Sequence, residues 1–359
     1  MEDYSKKLEV LRSQMSRINL EIMEKLNRFF EISSEIGRCK DQMGLPHFGP
    51  ERESEMLKDI MKNNRGPLPQ DKIKLIFKEI FKASVEEMSI RKKGRLKVTR
   101  LPGGDDVVIE VRGIKIGGKN PVLMAGPCAV ESDKQIYETA CYLNKLGVKI
   151  LRGGAFKPRT SPYSFQGLEE SALKMLRKAA DEFNMAVITE VLDSENLPLV
   201  EKYTDILQVG TRNMFNYSLL KAIGKAGKPV MLKRGMMATI DEFILAAEYI
   251  FNGGNKQIIM CERGIRTFEN QTRNTLDISA IPILKKELSL PVIVDISHST
   301  GRKDIIKPIA RAALSAGADG LMFESHYMPS VALSDSSQQL DPEETEKLIH
   351  YLKSHFQIA

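Results

Sequence analysis

The sequence predicts an all-α segment followed by a closed barrel of eight parallel strands wrapped by helices, on three observations. Residues 5–90 carry only helical periodicity. From residue 105 onward, short apolar strands alternate with amphipathic helices, and eight such units fill the span 105–359. Strand–helix alternation implies a parallel sheet, because the return between parallel strands needs a crossover helix. Eight units of this length match a (β/α)8 barrel, whose chemistry sits at the carboxyl ends of the strands.

In the first segment Leu8, Leu11, Met15, Ile18, Ile22, Leu26, Phe29 and Ile36 mostly recur every three or four residues, the apolar stripe of one long helix. GLPHFGP (44–50) interrupts it, ERESEMLKDIMKNN restarts it and RGPLPQ (65–70) breaks it again before a third helix at 71–93. The basic, glycine-containing stretch 91–104 reads as a linker, dividing the chain into 1–90, 91–104 and 105–359. A short strand at 107–111 and a turn then precede the eight barrel strands. These are predicted at 121–126, 148–151, 186–191, 205–210, 229–233, 257–261, 291–296 and 320–324.

Composition is that of a globular domain pair: 42% hydrophobic, 28% charged, mean hydropathy −0.25. The net charge of +6 is spread along 359 residues, and 6% aromatics without Trp offer no base-stacking platform, so nucleic acid is not expected as a partner. No apolar run is long enough to cross a bilayer, and MEDYSKKLEVLRSQ has no signal-peptide core. Cys39, Cys128, Cys141 and Cys261 are widely spaced without a CxxC pair. A reduced, cytoplasmic protein is expected.

Each barrel strand ends on chemistry. The first delivers Cys128 in GPCAVES, the second Arg152 and then KPRTS, the third Glu190, the fourth Arg212. The fifth delivers Lys233, the sixth Arg263, the seventh His298, and the eighth Glu324 and His326, with Asp335 following. Cys128, His298, Glu324 and Asp335 form a sulfur, nitrogen and oxygen donor set suited to one divalent transition metal. Cys128 by itself also fits a small buried hydrophobe, the reading kept for Cys39, Cys141 and Cys261. Arg152, Lys157, Arg159, Arg212, Lys233 and Arg263 form a cationic ring suited to phosphate or carboxylate groups. Lys233 fits two chemistries, Schiff-base formation and phosphate binding; neighbouring Arg234 favours the second, and position alone does not choose. The glycines of LRGGAFKPRTSPYSFQG (151–167) would let main chain approach phosphate.

These motifs, with LKRG, CERGIRTFE, TRNTLD, DISHSTGR and ALSDSSQQ, resemble 3-deoxy-D-arabino-heptulosonate 7-phosphate (DAHP) synthase of the short-barrel subtype across 105–359. The resemblance implies condensation of phosphoenolpyruvate with erythrose 4-phosphate at the entry to aromatic amino-acid biosynthesis. It implies Cys128, His298, Glu324 and Asp335 as ligands of one divalent ion, manganese first, with iron, cobalt or zinc as alternatives. Arg152, Lys157, Arg212, Lys233 and Arg263 would hold phosphoenolpyruvate, with Glu190 near its reactive end. Lys157, Arg152, Lys233 and Glu190 would form the catalytic set. Pro158, Arg159, Thr160 and Ser161 would receive the aldose phosphate. The sibling octulosonate-phosphate synthases share the barrel but have a KANRSS-like loop where this chain has KPRTS, which favours the four-carbon sugar.

Residues 1–90 resemble an all-helical chorismate mutase domain through LR (11–12), EIGRCK (35–40) and ERE (51–53). The resemblance implies that Arg12, Lys40 and Arg52, with Glu53 nearby, bind prephenate or chorismate. Arg12 and Lys40 lie 28 residues apart, about 42 Å along one helix, so one small ligand meets both only if a second chain contributes. The protein is therefore expected to be at least a dimer, with a tetramer as the larger alternative. Phe29, Gly49 and Met88 stand where the family has an arginine, an aspartate and a glutamine. Loss of those donors predicts a sensing or dimerisation module rather than a mutase, with a bifunctional enzyme as the alternative.

Overall fold

The computed structural model describes residues 1–359 except 1, 44, 46–48, 94–95, 102, 158–162 and 164. The chain divides into two compact units, Met1–Leu96 and Lys97–Ala359. The first consists of α1 (Glu2–Met43), α2 (Pro50–Asn63) and α3 (Gln70–Lys93). The 42 residues of α1 make one unbroken helix of about 63 Å. Most of the predicted stripe is exposed: Leu11 is 52%, Met15 59% and Ile22 52% accessible within the single chain. Only the carboxyl half of α1 packs closely, where Phe29 stacks on Phe81 of α3 with ring centroids 6.2 Å apart.

The boundary between the two units falls inside the stretch expected to be a linker, and both ends of that stretch are structured. Helix α3 runs on to Lys93. Beyond it, Val98 is buried, Arg100 N donates to Glu287 O at 2.8 Å, and Thr99 bridges Leu288, so this segment is bound to the barrel unit. Next comes a hairpin of β1 (Ile109–Val111) and β2 (Ile114–Ile116). The second strand was not predicted because IKI is too short to show alternation.

The eight predicted strands are all present and close into a barrel: β3 (Val122–Gly126), β4 (Ile150–Arg152), β5 (Ala186–Val191), β6 (Ile206–Val209), β7 (Val230–Lys233), β8 (Ile258–Glu262), β9 (Val292–Asp295) and β10 (Gly320–Glu324). Every neighbouring pair is parallel, and β10 seals against β3. Helices return the chain between strands, one of them opened by a capping box of Thr239 with Glu242, and a further capping box, Asp341 with Glu344, opens the helix after the last strand.

Alternation along the strands builds the interior in layers. Met124, Ile150, Ile188, Ile206, Met231, Ile259, Ile293 and Met322 face inward and form an apolar plug. Two residues further along, the same face carries Arg152, Glu190, Gln208, Lys233, Asp295 and Glu324. A polar ring therefore rests on a dry floor at the carboxyl ends of the strands.

Candidate active site

The ring opens into a cavity of about 430 Å³ lined by Cys128, Arg152, Lys157, Glu190, Arg212, Lys233, Arg263, His298 and Asp335, all singled out in the sequence. Gln208, Arg266, Arg273 and Asn274 line it as well and were not singled out. Pro158, Arg159, Thr160 and Ser161 lie outside the described residues.

One side holds the donor group. Ligand atoms of Cys128, Glu324 and Asp335 lie within 4.8 Å of one another. His298 stands beside them, its Nε2 3.5 Å from Glu324 Oε1 and 3.9 Å from Asp335 Oδ2. Asp295 fixes that ring. Burial pushes the Asp295 carboxyl up, but His298 and Lys233 outweigh it and hold it well below the usual range. An ionised Asp295 can only accept, so His298 Nδ1 at 2.8 Å donates and Nε2 keeps its lone pair. Burial lowers the His298 pKa against the pull of Asp295 and Glu324, favouring the neutral imidazole. A thiol, a neutral imidazole with a fixed tautomer and two carboxylates fit a divalent transition ion, with the orienting carboxylate such ligands usually have.

Cations interlock with these donors. Arg152 Nη1 donates to Glu324 Oε1 at 2.8 Å and to Pro127 O at 2.9 Å. Burial alone would raise the Glu324 carboxyl, but His298, Arg152 and Lys157 hold it at about 2. Lys157 Nζ lies 3.1 Å from Cys128 Sγ and donates to the Cys128 carbonyl. Burial and Glu324 nevertheless raise the Cys128 thiol above its ordinary value, against Lys157 and Arg152. Arg273 Nη1 reaches Asp335 Oδ2 at 3.2 Å and Gln338 Oε1 at 2.6 Å.

The rest of the lining is largely cationic. Arg263 is buried, yet its Nε and Nη1 have no hydrogen-bond partner among the described residues. Burial pushes its pKa down, with Asp295 pulling the other way and Arg273 adding to the depression. Arg212 rims the cavity from the short helical turn Thr211–Asn213. Lys233 is engaged by Asp295 in a buried ion pair, which opposes the Schiff-base alternative. Arg234 does not join the ring. Its Nη1 is held by Glu262 and Asp277, each at 2.9 Å, on the other face of the strand.

Two glycines make room for side chains of the site. Gly154 N donates to Cys128 O at 3.1 Å, and a Cβ there would lie 2.5 Å from Lys157 Nζ. The residue makes room for Lys157 and Cys128. Gly210 does the same for Glu190, whose Oε1 would lie 1.8 Å from a Cβ at that position.

In the helical unit, Arg12 and Lys40 share α1, Arg52 is exposed and paired with Glu55 at 3.1 Å, and Glu53 is half-buried. Met88 fills the space over Gly37, its Sδ 3.2 Å from where a Cβ would stand. Positions 29 and 88 therefore pack this unit.

Residues 95–358 match the DAHP synthetase I family, and residues 11–89 match chorismate mutase type II. A phospho-2-dehydro-3-deoxyheptonate aldolase of Thermotoga maritima is 55% identical over 249 residues, covering 69% of this chain and 74% of its own length. A crystal structure of DAHP synthase from Thermotoga maritima matches with a TM-score of 0.68 at 54% identity, over 70% of this chain and 73% of that one. A 2-dehydro-3-deoxyphosphooctonate aldolase of Koribacter versatilis is more distant, 32% identical over 254 residues, 65% of this chain and 90% of its own.

Proposed function

The chain belongs to the DAHP synthetase I family, and we propose that its barrel condenses phosphoenolpyruvate with erythrose 4-phosphate to give DAHP and phosphate. The observation that carries this reading is a buried arginine, Arg263, whose Nε and Nη1 have no hydrogen-bond partner among the described residues, lining one cavity with Cys128, His298 and Asp335 of the donor group. A doubly charged enol phosphate needs the first, and an aldehyde to be polarised needs the second.

Arg152, Lys157, Arg212, Lys233 and Arg263 hold phosphoenolpyruvate by its phosphate and carboxylate, and their charge opposes the anion without any of them changing protonation state. Cys128, His298, Glu324 and Asp335 hold a divalent ion, for which manganese is the first choice, followed by iron, cobalt or zinc. When bound, such an ion supplies Lewis-acid polarisation of the aldehyde carbonyl. Pro158, Arg159, Thr160 and Ser161 receive the aldose phosphate. The methylene carbon of phosphoenolpyruvate joins the aldehyde carbon, water adds at the enol carbon, and phosphate leaves. Glu190 stands near that enol carbon. Gly210→Ala is expected to push the Glu190 carboxylate aside and lower kcat by about 10²-fold, with little change in the phosphoenolpyruvate Kd. Steady-state turnover read beside an equilibrium binding titration checks this.

The helical domain binds prephenate or chorismate, or pairs chains, without mutase turnover. Phe29 and Met88 support this, since both fill packing positions. The exposed stripe on α1 and the roughly 42 Å between Arg12 and Lys40 support a homodimer at least. The match to chorismate mutase type II favours the second reading, a bifunctional enzyme. Chorismate consumption by the full-length protein separates them. No prephenate formed by synthase-active protein fits the sensor; turnover near that of a competent mutase overturns it.

A further inference from the structure

The polar ring neutralises most of itself. Arg152 is paired with Glu324 and Lys233 with Asp295. Glu190 and Gln208 remain: among the described residues neither side chain has a hydrogen-bond or ion-pair partner, and both line the cavity. They are register neighbours on β5 and β6, and Gln208 is only 4% exposed. Register partners on adjacent strands stand about 5 Å apart with side chains on the same face, so one small molecule can meet both.

We propose that Gln208, through its side-chain carbonyl, holds with Glu190 the water that adds to the enol carbon of phosphoenolpyruvate. This rests on the proposed synthase reaction. A carboxylate beside an amide oxygen presents two acceptors, which suits a molecule with two O–H donors and no charge. Phosphoenolpyruvate offers anionic oxygens, which Glu190 repels, and its charged groups have the arginines and lysines that line the same cavity. Water satisfies both acceptors and keeps a lone pair for attack. In the step, the water oxygen bonds to C2 as C3 bonds to the aldehyde carbon. Glu190 takes one water proton and afterwards releases it to solvent, and the former aldehyde oxygen takes up one from solvent. The C2–O bond to phosphate then breaks with its electron pair, and the hydroxyl proton at C2 leaves with the phosphate as the ketone forms. Gln208 changes neither charge nor bonding, and is a positioning residue.

The experiment compares Gln208→Met, Glu190→Gln and the double variant in the full-length, metal-loaded protein, reading kcat and, separately, the phosphoenolpyruvate Kd. Gln208→Met is expected to lower kcat by about 10- to 100-fold with Kd changed less than about twofold. The double variant is expected to fall no more than about threefold below the worse single one, because both remove the same water. A tenfold or greater rise in Kd with kcat retained, fully multiplicative effects, or wild-type kcat would overturn the proposal (tenfold being about 1.4 kcal/mol). Should Gln208→Met fail to fold by thermal melting, Gln208→Ala carries the same predictions without straining the barrel wall. Wild-type protein in the same assay separates the two claims: if it forms no heptulosonate phosphate, the synthase reading itself is wrong.

Discussion

Stripping divalent metal with EDTA is expected to lower synthase turnover by on the order of a thousandfold, and adding back manganese or another divalent transition ion to restore it. The donor set gives this expectation a pH dependence of definite sign. The Cys128 thiol lies above its ordinary pKa, by burial and by Glu324, and so carries its proton at neutral pH. A metal that takes the thiolate must displace that proton, so the apparent metal affinity should rise by about tenfold per pH unit through the neutral range. A chelator-competition titration at several pH values reads this directly. Affinity flat with pH would mean that Cys128 is not a ligand, and full activity in metal-free protein would remove the metal from the account. Glu324 acts at the other end of the scale. Its folded-state pKa of about 2 lies below the ordinary carboxylate value, so the stability it contributes is present above that value and is lost as pH falls toward 2.

Asp295→Ala is the second substitution expected to have a large effect. The carboxylate is fully buried, accepts from His298 N and Nδ1, and pairs with Lys233. Removing it strands a buried lysine, which should cost about 3–5 kcal/mol of stability. It also frees the His298 ring from its fixed tautomer, which should weaken metal binding by about 10- to 100-fold. Thermal unfolding and metal competition measure the two effects separately. Unchanged metal affinity in a folded variant would mean that His298 orientation does not depend on Asp295.

Asp295 also marks where sequence reasoning stopped. The barrel was legible because each strand is a short apolar run ended by glycine, proline or charge, and all eight runs are strands in the structure. The strand-end residues were legible for the same reason: Arg152, Lys233, Arg263 and His298 stand where the apolar run stops. Asp295 and Gln208 lie inside runs, in PVIVDI and DILQVG, and were not singled out there. Counting two residues forward from the inward-facing Ile293 and Ile206 would have found both, since alternation sends them to the same face. The same count rejects Arg234, which adjoins the inward Lys233 and so must face outward into Glu262 and Asp277. Arg273 could not be found that way. It reaches Asp335 from a loop 62 residues away in the chain, a meeting made only by the closed barrel. In the helical unit, a helical wheel puts Phe29 on the Lys40 face, but only tertiary packing shows it stacked on Phe81.

The most direct test of the central claim supplies the metal-loaded, full-length protein with phosphoenolpyruvate and, in parallel, erythrose 4-phosphate or arabinose 5-phosphate, following phosphoenolpyruvate loss and the sugar product. The account predicts stoichiometric phosphate and heptulosonate phosphate with the four-carbon sugar, and at least about a hundredfold lower kcat/KM with the five-carbon one. Octulosonate phosphate formed at an equal or faster rate, or no condensation with either sugar, would contradict it.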